Sequence, residues 1–346
     1  MTEDKLALLT DICFTQIFNN ELKTVEGITR FNEHLYNKYN RHHRLTDKTF
    51  LFDPTIDPKT YFYVMEDISG NCGYKFRVSI NGQNYFLKKE LQAAWLSDEE
   101  YLKEQLEFWT KEMEISYMLE DAGIKNTAKG FHIFIKRSYS AYSEKFRLFV
   151  WSLSEYVEGD TVQDFDYGAQ LPYQFYDTPS YGRHKPGKLV SLSAAKEFCK
   201  ELISVYISIL KLGYLPYRYN DRGIVIRYNN KIEWKFVDYL YFKETDFPNS
   251  SDIRSAIESI NSILCYHMCV YTNHSTHEKL SEFHHPYWTK LSKMMTEKIK
   301  YFEDLGQQEY ESYRKQNLRW DRNFPEISMN ECINTFTEIY RCAESD

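Results

Sequence analysis

The sequence predicts an α+β protein in which a small sheet-rich part is followed by a larger, mainly helical part. Five strand-like runs fall between residues 60 and 157, and one long charged helical pattern separates the first three from the last two. From residue 191 onward, apolar residues recur mostly at helical spacing. A length of 346 residues is enough for one large domain or two of ordinary size.

Composition narrows the class of protein. Hydrophobic residues at 42% and charged residues at 27% are typical of a soluble globular chain. A formal charge of −7 gives no overall basic surface, so we do not expect nucleic acid as a partner. No apolar window is long enough to span a membrane and the N-terminus is acidic, so we expect a cytoplasmic protein. Seven scattered cysteines favour reduced thiols over disulfides.

The first elements form a predicted helical N-terminal extension, residues 1–58. Apolar residues at three- and four-residue spacing predict helices over about 3–20 and 24–41. The two prolines of "DPTIDPK" (53–59) then end the helical pattern.

The sheet-rich part, residues 59–157, reads β-β-β-α-β-β. Asn81-Gly82 predicts a hairpin between the second and third strands. Ser97 is the predicted N-cap of the helix, and Gly123 is predicted to end it. The predicted elements are strands over 60–68, 74–80 and 84–91, a helix over 97–122, and strands over 130–139 and 146–157.

The helical part, residues 158–346, begins with a stretch dense in Tyr, Pro and Gly (167–188), which we interpret as a long surface loop. An amphipathic helix follows over about 191–212, and then a hairpin that turns at Asn229-Asn230. Residues 250–342 are expected to be mainly helical.

The order of these elements and several residues within them resemble the protein kinase superfamily over about residues 60–245. The resemblance implies a bilobal kinase-like fold that binds ATP and Mg²⁺ between its lobes. "SGNCGYKFRV" is similar to the glycine-rich turn that covers phosphates, with Gly70 and Gly73 as its glycines. The spacing is not G-x-G-x-x-G, and an ordinary glycine hairpin is the alternative.

A lysine and a glutamate are the next points of resemblance. "YFLKK" (85–89) resembles the third-strand motif, which makes Lys88 the residue that would grip the α/β-phosphates. Lys89 would point to the opposite face of the strand. Glu112 resembles the helix glutamate that pairs with that lysine, and Glu114 is the alternative. A solvated helix charge is the third interpretation of Glu112.

Two further segments resemble cofactor-binding parts of the family. "LSEYVEGDTVQDF" (153–165) is similar to the hinge whose backbone binds adenine, which points to Glu155 and Val157. Asp238 in "KFVDYLYF" matches the Asp of D-F-G, which ligates Mg²⁺. An acidic residue that merely closes a hairpin strand is the alternative for Asp238.

The loop "GYLPYRYNDRGIVI" departs from the family pattern. Aligned without gaps, Arg218 stands at the catalytic Asp and Gly223 at the metal-binding Asn, while Pro216 and Tyr217 replace His and Arg. Arginine, with a pKa above about 12, cannot accept a proton from a substrate hydroxyl. A retained nucleotide site without its base describes a pseudokinase.

Two other functions remain open. Asp221 could act as a displaced base with Asn220 as a metal ligand and Arg218 holding phosphate, giving an active transferase of phosphoryl or nucleotidyl groups to protein. Alternatively, the chain is a helical interaction protein whose pocket binds no nucleotide. A protein substrate or partner is expected to approach through the 167–188 loop.

Overall fold

The computed structural model describes residues 11–39, 41, 48–67, 73–90, 96–140, 144–162, 190–217, 223–239, 242–268, 286–315 and 326–345. The chain divides into two compact units. The first comprises Met1–Ala122 and Ala128–Val157, and the second comprises Gly123–Thr127 and Glu158–Asp346.

The first unit contains a five-stranded sheet and one long helix, preceded by shorter helices. Its described elements, in chain order, are α1 (Asp11–Asn20), α2 (Val25–Tyr39), α3 (Lys48–Phe52), α4 (Pro58–Tyr61), β1 (Tyr63–Asp67), β2 (Gly73–Ile80), β3 (Gln83–Glu90), α5 (Asp98–Asp121), β4 (Gly130–Ser140) and β5 (Lys145–Glu155).

The sheet has the order β1-β2-β3-β5-β4 with every neighbouring pair antiparallel. Asn81 and Gly82 join β2 to β3 and both have positive φ, at 51° and 78°. Positive φ at both central residues is the twist of a primed two-residue hairpin, which confirms the turn predicted from sequence. Strand β3 therefore lies at the centre of the sheet, between β2 and β5.

Helix α5 begins where the sequence predicts. Ser97 accepts a hydrogen bond from the Glu100 backbone and Glu100 returns one to Ser97, which forms a capping box. After the helix, Gly123 takes a φ of 76°, a conformation that favours glycine.

The N-terminal helices pack onto α5 and the edge of the sheet. Buried apolar residues of α1, α2, α5, β4 and β5 share one hydrophobic cluster. Asn32 of α2 also contacts the edge strand β4. The Asn32 side-chain amide donates to the Ile135 carbonyl (2.8 Å) and accepts from the Ile135 N–H (2.7 Å). This amide pairs with the strand backbone, so α2 covers a sheet edge that would otherwise be exposed.

The second unit is mainly helical with small sheets. Its described elements are β6 (Asp160–Thr161), α6 (Leu192–Lys211), β7 (Tyr214–Pro216), β8 (Ile224–Asn229), β9 (Lys231–Phe236), β10 (Phe242–Glu244), α7 (Ser250–Asn261), a π-helical segment (Ser262–Met268), α8 (Pro286–Lys315) and α9 (Met329–Glu344). Strands β6, β8 and β9 form one sheet, and β7 pairs with β10. The α+β class with a five-stranded antiparallel sheet and a helical C-terminal part is confirmed.

Differences from the predicted elements lie mainly at their boundaries. The segment 53–59 does end α3, but it also starts the short helix α4, because Asp57 caps the helix and Pro58 occupies its first turn. The first strand therefore begins at Tyr63 and not at residue 60. Among the described helices, none combines the length and the apolar composition that a membrane crossing requires.

Candidate functional site

Lys88 and Glu112 form a buried ion pair in the first unit. The Lys88 Nζ donates to Glu112 Oε1 at 2.6 Å, and the two side chains are 8% and 10% exposed. The structure therefore brings together the two residues that the resemblance paired. Glu114, the alternative partner, is more than half exposed and accepts a hydrogen bond from the Tyr39 hydroxyl (3.3 Å).

The pair joins the centre of the sheet to the long helix. Lys88 on β3 lies opposite Lys75 of β2 and Ser152 of β5, so its backbone is fixed on both sides. Glu112 lies in the second half of α5. Because charges this far from solvent interact strongly, the pair holds β3 and α5 at a defined separation.

Lys88 also lies over the indole of Trp109. The Nζ is 4.7 Å from the ring centroid, within the range of a cation–π contact. Trp109 and Glu112 are three residues apart on α5, a spacing that places both side chains on one face of a helix. The Lys88 ammonium is thus contacted by a carboxylate and by an aromatic face of the same helix.

Lys89 has different surroundings. Its Nζ lies 3.8 Å from the Phe149 ring centroid and 4.8 Å from those of Tyr74 and Trp151. Burial, together with the nearby charge of Lys59, lowers the pKa of Lys89 to about 8. Consecutive lysines on β3 therefore have separate environments, as strand alternation predicts.

The two glycines of the proposed phosphate-covering turn are only partly described. Gly73 begins β2 and lies opposite Glu90 at the end of β3. Gly70 lies outside the described residues, so its place in a turn remains a prediction.

The predicted hinge starts at the end of β5. The Glu155 N–H donates to the Lys129 carbonyl (2.8 Å), and the Glu155 carboxylate accepts from the Lys129 N–H (3.1 Å). Because this N–H is engaged, an adenine contact by the Glu155 backbone would have to use its carbonyl. Val157 is half-buried and follows the strand without regular structure.

Asp238 lies in the second unit, two residues after β9. It is half-buried, between Val237, whose N–H donates to the Gly223 carbonyl (3.0 Å), and the buried Tyr239. Pro216 closes β7 opposite Phe242. Arg218, Asn220 and Asp221 lie outside the described residues. No group of three or more His, Cys, Asp or Glu placed to hold a metal occurs in the described part of the chain.

Comparisons with known proteins add a structural similarity. No protein-family profile and no curated protein matches the chain. It is similar to the crystal structure of the Mycobacterium tuberculosis PknI kinase domain, with 13% identity, a TM-score of 0.41, and coverage of 80% of this chain and 96% of that chain. It is also similar to the Cydia pomonella granulovirus kinase PK-1, with 9% identity, a TM-score of 0.42, and coverage of 69% and 87%.

Identities and TM-scores this low carry no inference about the site. The kinase-like organisation of the first unit is seen in its own elements, because a lysine on the third strand that pairs with a glutamate on the following helix is the arrangement of protein kinases. The contact between Lys88 and Trp109 was not predicted from sequence. An aromatic residue three positions before Glu112 was the signal, since that spacing places it on the same helix face.

Proposed function

We propose that this chain is a kinase-fold protein that binds ATP with Mg²⁺ and lacks the usual catalytic base. The observation that carries the proposal is the buried ion pair between Lys88 and Glu112. In protein kinases the corresponding lysine contacts the nucleotide phosphates and the glutamate holds it in place.

A buried ion pair needs an explanation beyond stability. Removing two charges from water costs free energy that their attraction only partly offsets, so an apolar pair of similar volume is often at least as stable. A lysine that must meet a phosphate is a sufficient reason to keep the charge. The same lysine in a purely structural protein would have no such requirement.

The remaining cofactor contacts are proposed by resemblance. Gly70 and Gly73 would place backbone N–H groups near phosphate oxygens, and Glu155 and Val157 would meet the adenine edge through the backbone. Asp238 would ligate Mg²⁺, which prefers carboxylate oxygens, with Asn220 as a second candidate ligand. Bound Mg²⁺ would neutralise phosphate charge.

The sequence supports a pseudokinase over an active kinase. Arg218, at the position of the catalytic Asp, cannot act as a base. An active transferase that uses Asp221 is the competing function, and it would transfer a phosphoryl or nucleotidyl group to protein. We propose that the 167–188 segment, outside the described residues, contacts a protein partner or substrate.

Binding is tested by thermal melts with ATP alone and with ATP plus Mg²⁺. Saturation at a hundred times the dissociation constant should stabilise the protein by about 2.7 kcal/mol. Lys88→Ala should weaken ATP binding at least about tenfold, because a charge-assisted hydrogen bond is lost. The control is Lys111→Ala, which removes an exposed lysine of α5, the helix that carries Glu112, and this variant should bind ATP as the wild type does. A wild type that ATP does not stabilise would support the helical interaction protein instead.

Chemistry is tested with ATP labelled at the α- or γ-phosphate. The pseudokinase predicts no label on protein in the wild type or in Asp221→Ala and Asp238→Ala. Transfer of γ-label that depends on Asp221 would identify a phosphoryl transferase, and transfer of α-label would identify a nucleotidyl transferase. Either result overturns the pseudokinase.

A further inference from the structure

Trp109 stands out because its indole faces a charged residue, while its ring nitrogen makes no hydrogen bond to any residue that the structure describes. The side chain is 1% exposed on α5, and Lys88 Nζ is 4.7 Å from the ring centroid. The Trp109 Nε1 makes no hydrogen bond within the described part of the chain. The contacts of this side chain are therefore made through its ring and not through its N–H.

Two kinds of contact restrain the ring of Trp109. Phe108 packs edge-on against the indole, with centroids 4.7 Å apart and an interplanar angle of 88°. Trp109 also belongs to the apolar cluster formed by α1, α2, α5, β4 and β5. An indole packed within this cluster can present a π face to Lys88.

The geometry points to Trp109 as a positioning residue that, together with Glu112, fixes the Lys88 ammonium for contact with nucleotide phosphates. This inference rests on the proposed function, but the contact that it concerns, between Trp109 and Lys88, lies within the first unit.

Glu112 and Trp109 restrain the Lys88 ammonium in different ways, and of the two only Glu112 accepts one of its hydrogen bonds. The Glu112 carboxylate fixes the distance of the Nζ through one short hydrogen bond at 2.6 Å. The electron-rich face of an indole attracts a cation without competing for its hydrogen-bond donors. Lys88 has three N–H donors, and a π face takes up none of them as a hydrogen-bond acceptor would. A second carboxylate in place of Trp109 would occupy those donors and weaken phosphate binding.

The most direct test changes the charge of the π face and leaves its shape nearly unchanged. Trp109 is replaced in the full-length chain by 5-fluoro- and then 5,7-difluorotryptophan through nonsense suppression. Each fluorine weakens the ring's attraction for a cation, so ATP affinity should fall stepwise with fluorine number while the melting temperature without ATP changes little. Affinity that stays constant across the series overturns the inference.

A second test uses ordinary substitutions. Trp109→Phe keeps a π face, whereas Trp109→Leu keeps only apolar packing. The control is Leu106→Ala, at a fully buried position in the same cluster, which removes core volume and keeps the Trp109 ring. Trp109→Leu should weaken ATP binding about 5- to 30-fold, the range of a partly desolvated cation–π contact. Trp109→Phe should recover most of the ATP affinity that Trp109→Leu loses. Leu106→Ala should have a melting temperature similar to that of Trp109→Leu and should lose little ATP affinity.

A further experiment tests the positioning role of Trp109 independently of ATP binding. Lys88 can be followed without nucleotide by reductive methylation with formaldehyde and peptide mass spectrometry. Trp109→Leu should raise the methylation rate of Lys88 severalfold and Leu106→Ala should not. If the wild type binds no ATP but Lys88 is released in Trp109→Leu, the proposed function fails and the positioning role stands. Equal methylation rates in the two variants overturn the positioning role whatever the affinity for ATP.

Discussion

Three lysines of the sheet have different contacts because they occupy different positions in it. Lys88 is held by Glu112 and Trp109, and Lys89 lies among aromatic rings. Lys136 on β4 is fully buried, and its Nζ donates to the carbonyls of Phe50 and Asp53. Its nitrogen also lies 4.4 Å from the Phe50 ring centroid. A buried amine of this kind ties the short helix α3 and the residues after it to the sheet.

Burial makes Lys136 a source of pH-dependent stability. Desolvation lowers the pKa of Lys136 to about 7, although the nearby charge of Asp53 acts in the opposite direction. A neutral amine still donates two hydrogen bonds, so both carbonyl contacts survive deprotonation. Above pH 7 the unfolded lysine keeps its proton and the folded one loses it, so unfolding takes up a proton and stability rises with pH.

We predict that Lys136→Met flattens this pH dependence. Between pH 7.5 and 9, Lys136 should increase the free energy of unfolding of the wild type by up to about 1.4 kcal/mol per pH unit, and the variant should lack this contribution. Urea unfolding at each pH gives the two slopes. Lys145→Met, at an exposed position of β5, should keep the wild-type slope. Equal slopes in the wild type and Lys136→Met would show that Lys136 stays charged in the fold.

At the scale of elements, the N-terminal helices fix the long helix α5 at several points. Arg41 forms a two-pronged ion pair with Asp121, with both nitrogen–oxygen distances at 2.9 Å. The Arg41 guanidinium also lies 4.3 Å from the Tyr117 ring centroid, and the Tyr117 hydroxyl donates to the Tyr39 carbonyl. Because α5 carries both Trp109 and Glu112, these contacts help to hold the candidate site in place.

The buried hydroxyl of Tyr117 gives a measurable contribution to this contact. Tyr117→Phe keeps the ring under Arg41 and removes only the hydrogen bond to the Tyr39 carbonyl. We expect the free energy of unfolding to fall by about 1 kcal/mol, the usual net value of such a bond. Tyr139→Phe is the matched control, because Tyr139 is 54% exposed and its stability should not change. A Tyr117→Phe variant as stable as the control would mean that the hydroxyl contributes nothing.

The junction of α1 and α2 offers a test in which two effects have opposite signs. Helix propensity alone predicts that Gly27→Ala stabilises α2 by about 1 kcal/mol. A β-carbon at Gly27 would lie 1.8 Å from the Glu21 carbonyl oxygen, however, so the backbone would have to move. We therefore expect a net loss of about 1–3 kcal/mol in chemical denaturation.

The control for this substitution is Asn37→Ala, at an exposed position of the same helix. There the propensity gain should appear without a clash, as a small increase in stability of about 0.5 kcal/mol. A stabilised Gly27→Ala variant would show that the α1–α2 junction can open at little cost.

At the scale of the whole molecule, several features of the first unit could be predicted from sequence because they depend on local interactions. The hairpin at Asn81-Gly82, the cap at Ser97 and the strand alternation at Lys88 and Lys89 are each set by residues close in the chain. Apart from the pair of Lys88 and Glu112, which the resemblance implied, contacts between distant residues could not be predicted, because a single sequence does not say which faces meet. Asn32 on Ile135 and Tyr117 on Tyr39 are of this kind. The contact between Trp109 and Lys88 also belongs to this group.

The second unit can be followed independently through its buried thiols. Cys199 and Cys332 are fully buried there, whereas Cys13, on α1 of the first unit, is partly exposed. Burial raises the pKa of Cys199 well above its ordinary value and that of Cys332 from 9.0 to about 12. The thiolate is the reactive form, and a pKa of about 12 lowers its fraction in Cys332 at pH 7.5 about a thousandfold.

We predict that N-ethylmaleimide at pH 7.5 labels Cys13 readily in the folded protein and labels Cys199 and Cys332 only when the second unit opens. Peptide mass spectrometry after timed quenching should give rates at least about a hundredfold lower for the two buried thiols, since both access and thiolate fraction are reduced. In urea above the unfolding transition the three rates should converge, which controls for intrinsic reactivity. Labelling of Cys199 or Cys332 at the rate of Cys13 without urea would mean that the core around α6 and α9 is open in solution. If the protection is present, the urea dependence of the two rates reports the opening of the second unit.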